Sequence, residues 1–247
     1  MACFAIDPVR HRLGRPRKTD LREVVNALLY MASAGGAWRL LPKDFPPFST
    51  VQKYFWRWRD DGLLRSINNE LVMAAREREG REASPSAGVI DSQSVKTTES
   101  GGIRGFDAGK KIMGRKRHIV VDTLGLLVGV VVHAADIQDR DGAPAVLESI
   151  LKRWPWLRHI FADGGYAGPK LRGALQKVGT FTLDIIKRTD KAKGFEVLPR
   201  RWVVERTFAW LGRCRRLAKD FERTIASAEA WVFIANIRML TRRLARS

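Results

Sequence analysis

The chain has 247 residues, enough for one sizeable core plus a small accessory domain. Two Cys far apart (Cys3 and Cys214) and four His (His11, His118, His133, His159) without ligand spacing exclude a disulfide framework and a zinc site, and they fit a reducing cytoplasm. Forty-five Lys and Arg against 26 Asp and Glu give a net charge of +19 along the whole length, which favours nucleic acid as partner over a membrane surface.

The N-terminal stretch MACFAIDPVRHRLGRPRK has no apolar run with a cleavage site, so no secretory signal is expected, and nowhere does an apolar run approach the roughly 18 residues of a membrane span. Within it, Gly14-Arg15-Pro16-Arg17-Lys18 has the composition of a minor-groove arm or of a disordered basic tail. Asp20, with Glu23 three residues on, predicts a capped helix whose apolar face carries Leu21, Val24, Val25, Leu28 and Leu29, ended by Gly35-Gly36. After a loop holding Trp38, Leu40, Leu41 and Pro42, Ser49 or Thr50 can cap a second helix. Val51, Tyr54, Phe55 and Trp58 are its inner stripe, with Gln52, Lys53, Trp56, Arg57 and Arg59 outside. Short helices ending in a basic outer face suit a helix-turn-helix module, with a small helical bundle as the plainer reading.

Residues 76–87, REREGREASPSA, read as a linker. The chain is therefore expected to divide into a helical DNA-binding domain, residues 1–80, and a mixed α/β domain, residues 81–247. The second part opens with a short strand, Ala87 to Ile90, ending at Asp91. A strand over 117–122, a turn at Thr123-Leu124-Gly125 and a β-branched strand over 126–134 follow. Further on come a helix from Asp139, a strand over 159–162 leading to Asp163, a helix over 168–178, a strand over 182–186 and helix from about Pro199 onward. The order β-β-β-α-β-α-β-α describes a mixed sheet flanked by helices.

Two acids, Asp91 in GVIDSQSVKT and Asp163 in HIFADGGYAG, are read as standing directly after buried strands, where a carboxylate is rigidly mounted and where ligands of such sheets gather. A third, Glu205 in PRRWVVERTFAWLGRCRRL, shares a helix face with Arg201 and Gly212, beside a stripe of Val204, Phe208 and Leu211. The plain reading of Arg201 and Glu205 is a surface pair worth a few tenths of a kcal/mol; the sharper one aims Glu205 at the two aspartates and Arg201 at a phosphate. Phosphodiester cleavage needs one oxygen activated and another stabilised, which two divalent ions roughly 3.5–4 Å apart can do. Mg²⁺ takes oxygen ligands, and three carboxylates among basic residues suit it. The basic run Lys110-Lys111-Ile112-Met113-Gly114-Arg115-Lys116-Arg117, with Lys96, is a candidate for gripping the DNA backbone, or else a solvated loop.

GVIDSQSVKTTE, DAGKKIMGRKRHIVVDTLG, HAADIQDRDGA, FADGGYAG and RRWVVERTFAWLGRCRRLAKDFE together resemble bacterial insertion-sequence transposases of the DDE class, in the IS-five-like branch. GRPRKTDLREVVNALLYMASAGGAWRLLPKDFPPFSTV is similar to the helical domain preceding catalysis in that branch. The resemblance implies an RNase H-like fold and a two-metal mechanism with Mg²⁺, for which Mn²⁺ substitutes. It also implies double-stranded DNA partners (element ends and target) and Asp91, Asp163 and Glu205 as the acids. The family's C-terminal signature of Tyr, Arg, Glu and Lys is matched at Arg201 and Glu205. Leu198 stands where the Tyr would be and Gly212 where the Lys would be, leaving Arg213 or Arg215 to supply that charge. Pairing two DNA ends implies at least a homodimer. The rival expectations are an RNase H-like nuclease that cuts without joining, and a repurposed transposase that only binds DNA.

Overall fold

A computed structural model describes residues 18–99, 101–179, 181–186 and 201–246. Asp20 caps the first helix as its sequence predicts: the carboxylate accepts a hydrogen bond from the Arg22 amide, α1 (Leu21–Ala34) follows, and Gly35 ends it at a left-handed φ of 73°. A single 3-10 turn at Trp38–Leu40 leads to α2 (Phe48–Asp60). This helix begins after Pro47, ahead of the expected Ser49 or Thr50 cap, and no side chain caps it. Val51, Phe55 and Trp58 are buried, while Lys53, Trp56 and Arg57 face outward. A third helix, α3 (Leu63–Arg78), occupies the start of the expected linker, because its apolar face finds a partner in the C-terminal helix.

The sheet is built from β1 (Ala87–Lys96), β2 (Gly105–Asp107), β3 (Ile112–Asp122), β4 (Leu127–Ala134), β5 (His159–Ala162) and β6 (Thr182–Ile185). β3 lies between β1 and β4 and is antiparallel to both, while β1, β5 and β6 run parallel. The short β2, not expected from sequence, takes the stretch of β3 that lies beyond β4. At the β3–β4 turn, Asp122 is fully buried and accepts hydrogen bonds from the amides of Leu124 and Leu126. Arg76 of α3 closes the arrangement with an ion pair to the same carboxylate.

Helices cover both faces of the sheet. On one side α4 (Asp139–Leu151) packs on β3 and β4, with α5 (Pro169–Val178) against α4. On the other, α6 (Trp202–Gly212) lies over β1 and β3, and α7 (Ile225–Leu244) lies over β4. This is the mixed α/β, RNase H-like architecture that the sequence implies. Helices α1–α3 share one continuous apolar core with α7. Phe55 stacks on Trp231 with centroids 4.9 Å apart. The Asn236 amide donates to Asn68 Oδ1 at 2.6 Å, and Asn68 in turn donates to the Leu127 carbonyl at 2.9 Å. Buried amides leave few alternative partners, so this chain fixes how α3, α7 and β4 meet. Among the described residues no helix is long and apolar enough to cross a membrane.

Candidate active site

β1 and β5 pair in parallel, with Ala87 opposite His159 and Val89 opposite Phe161. Continuing that register two residues brings Asp91 level with Asp163, on the same face of neighbouring strands. Asp91 does not end its strand as the sequence predicts. β1 runs on to Lys96 because its antiparallel pairing with β3 continues as far as Lys96 opposite Gly114, through polar residues that carry no apolar alternation. The pairing with β5, by contrast, stops at Val89, so Asp91 lies inside β1 beyond the last of its partners on β5. Asp163 follows directly on β5, as expected, and its carboxylate accepts from the Gly165 amide at 2.8 Å, bending the chain into a 3-10 turn.

The charge at Asp91 is poorly compensated. Its pKa is pushed up to about 6, foremost by burial and also by the neighbouring Asp163 charge, against the hydrogen bond from the Ser92 amide and the more distant Arg201 and Lys110. Arg201 directly precedes α6, and one of its nitrogens lies 3.4 Å from Asp163 and 3.5 Å from Glu205. Glu205 sits in the first turn of α6, where the helix dipole favours a carboxylate, and its side chain is about half exposed (55%). Val204 and Leu211 anchor α6 with Val203 and Thr207, whereas Phe208 of the expected stripe is only partly buried.

Behind Asp91 the other face of the sheet holds a polar cluster that sequence reasoning missed. Ser92 donates to Asp139 Oδ1 at 2.7 Å, and Lys116 Nζ lies 2.9 Å from the same oxygen. His118 meets His133 at 2.7 Å and stands edge-on to the buried Tyr166 ring. The Tyr166 pKa is raised, first by burial and then by Asp91, Asp139 and Asp163. The available signal was strand alternation: Ser92 and His118 are register partners, so both must face α4 if Asp91 faces α6.

The basic run needs correction. Lys110 and Lys111 are exposed, as is Lys96, and Lys110 Nζ lies 3.3 Å from the Ser92 carbonyl. Residues 112–117 form β3 rather than a loop, and Arg115, Lys116 and Arg117 are buried. Alternation sends Arg115 to Asp220 (3.1 Å) and Arg117 to the Leu217 carbonyl (2.8 Å), while Lys116 points to the opposite face and Asp139. Enclosed and already paired, these three brace the fold and do not present themselves to DNA. Lys53 and Arg57 lie on the outer face of α2, Arg57 within 3.5 Å of Asp61, and Lys18 and Arg213 are exposed. Arg15, Arg17 and Leu198 lie outside the described residues.

The three acids offer oxygen donors only, the set a hard divalent ion prefers, and the undercompensated Asp91 beside Asp163 suits a cation. Among the described residues no three His, Cys, Asp or Glu side chains are gathered closely enough to hold an ion; Asp163 and Glu205 both face Arg201 instead.

Residues 82–240 match the family described as "Transposase DDE domain", and residues 4–68 match "Putative transposase of IS4/5 family". The chain is similar to a Burkholderia cepacia protein named "Putative transposase for insertion sequence element IS402", at 34% identity over 117 residues, covering 44% of this chain and 54% of that protein. It is also similar to "Uncharacterized protein y4sN" of Sinorhizobium fredii, at 36% identity over 63 residues, covering 26% of this chain and 48% of that one. The chain thus spans about half the length of the curated relatives it matches. With a family match across the whole sheet and its flanking helices, the chain belongs to the DDE transposases of the IS4/5 group.

Proposed function

We propose that this chain cuts and rejoins DNA at the ends of an insertion sequence, with Asp91, Asp163 and Glu205 as its catalytic acids. The observation that carries the reading is the convergence of three distant segments: Asp91 is level with Asp163, and Arg201 faces both Asp163 and Glu205. DDE transposases use divalent metal ions. Two Mg²⁺ or Mn²⁺ ions held by these acids would supply an activated oxygen on one side of the phosphorus and a stabilised leaving oxygen on the other.

The chain's own residues orient the substrate. Asp91 is fixed by strand backbone and Asp163 by the turn it caps at the end of β5, so little ordering is left for their oxygens. Arg201 is a fork-shaped donor already aimed at the acids, and a scissile phosphate entering there would take its hydrogen bonds in place of the carboxylates. Lys110, exposed on the rim beside Asp91, adds positive potential for the same phosphate backbone. The outer face of α2, with Lys53 and Arg57, is assigned to duplex DNA bound within residues 1–80, and Lys96 and Lys111 to the backbone near the site. Two element ends must be held together, so the active form is at least a dimer, in the bacterial cytoplasm with the nucleoid.

Incubation with Mg²⁺ and labelled duplexes carrying the inverted repeats that flank the gene, together with a supercoiled target, tests the reading. Joined strands are the expected product. Cleaved ends that never join would instead assign a nuclease, and binding without any cleavage would assign a DNA-binding protein alone.

A further inference from the structure

A second, strongly basic cleft lies between α6 and α7, with a volume of about 720 Å³. Six arginines line it and no carboxylate does among the described residues. The Arg206 guanidinium is held between two indoles, 4.3 Å from the Trp202 ring centre and 4.4 Å from that of Trp210, and donates to the Leu124 carbonyl at 2.9 Å. Its pKa is lowered, first by burial and then by the neighbouring charge of Arg243. Arg243 has Glu79 as counter-charge, while Arg213, Arg242 and Arg246 are exposed and pair with no carboxylate among the described residues. Trp202 leaves 43% of its surface open at the edge of the cleft.

The geometry points to a second DNA site: the cleft between α6 and α7 takes a DNA strand with unpaired bases, arginines on its phosphates and Trp202 stacked on a base. This rests on the reading of the chain as a DNA-processing enzyme. Unpaired cations in a concave site call for a polyanion, and indoles beside them favour one with planar faces. A duplex offers phosphates but hides its base faces in the stack, whereas a single strand offers both. An acidic peptide would satisfy the charge and leave the indole unused. Position agrees. Trp202, Arg206, Trp210 and Arg213 share one face of α6, about a quarter turn from Glu205, so a strand leaving the acids can cross the helix into the cleft.

Binding of fluorescent oligonucleotides to the full chain, in the presence of a chelator so that no cleavage occurs, tests this independently of catalysis. Trp202→Ala is expected to weaken binding of a single strand roughly tenfold while a blunt duplex is bound as before, and Trp202→Phe is expected to restore most of the loss. Arg242→Glu with Arg246→Glu should weaken the single strand further and lower its salt dependence by about two phosphate contacts. Thermal unfolding of the Arg242→Glu, Arg246→Glu variant should match the parent, since both side chains are exposed, and Trp202→Phe keeps an aromatic ring beside Arg206. Unchanged single-strand affinity in both variants would overturn the proposal. So would an equal loss on blunt duplex in Trp202→Ala, or equal competition by polyglutamate. If these affinities behave as expected while no cleavage is found with metal, the cleft stands and the catalytic reading fails.

Discussion

Arg201 reaches the carboxylate of Asp163 at 3.4 Å through the same nitrogen that lies 3.5 Å from Glu205. One flexible cation thus stands where two acids converge, and its side chain remains partly exposed. Partly exposed pairs contribute about 0–1 kcal/mol to folding, so Arg201→Ala should leave the unfolding midpoint nearly unchanged. Loss of a preorganised donor at a reacting phosphate should cost about 100-fold in cleavage rate. Urea unfolding and single-turnover cleavage, run on the same preparation, check both halves.

The ion pair between Arg76 and Asp122 behaves in the opposite way. Both side chains are buried, Asp122 completely, and they join α3 to the β3–β4 turn. Arg76→Ala leaves a buried carboxylate without its cation and should cost about 3–5 kcal/mol in urea unfolding. Arg76 is engaged by Asp122 and the Glu82 carbonyl and not by the acids, so the residual folded fraction should cut DNA normally.

Acid sensitivity should come in part from His118. Burial, with the charge of His133 next, lowers its pKa from 6.5 to about 3, while Asp139 acts to raise it and Lys116 and Lys110 to lower it. His133 contacts one ring nitrogen, and the Tyr166 ring lies edge-on. Between those two pKa values the unfolded chain binds a proton that the folded chain refuses. Stability contributed by neutral His118 is therefore full above about pH 6.5 and is lost as pH falls, by up to about 1.4 kcal/mol per unit, until the folded value is reached. Urea midpoints at about pH 7 and about pH 5 should fall further apart in the parent than in His118→Gln.

Much of this was legible in sequence because the signals were local. Asp20 and Gly35 bracket α1, the turn at 123–125 divides two β-branched strands, and the three proposed acids sit in distinctive motifs. What sequence hid depends on pairing over distance. Asp91 looks like a strand end because Ser92, Gln93 and Ser94 are polar, yet β3 holds them in the sheet. Arg115, Lys116 and Arg117 look like a solvated grip, but Asp220 and Asp139, each distant in the chain, draw them inside. Nothing local in residues 1–80 hints at Trp231, which packs on Trp38 and Phe55 from the far end of the chain. Tyr166 and the Ser92–Asp139 contact were invisible for the same reason.

If Asp91, Asp163 and Glu205 act as one catalytic unit, replacing each in turn, as Asp91→Asn, Asp163→Asn and Glu205→Gln, must show it. Cleavage of inverted-repeat duplex with Mg²⁺ and binding of the same duplex in chelator would be measured for every variant. Each substitution alone should abolish cleavage, no pair of substitutions should do more harm than one, and binding should stay within about twofold because phosphate contacts are made elsewhere. A variant that still cuts at a rate near that of the parent would contradict this and remove that residue from the site.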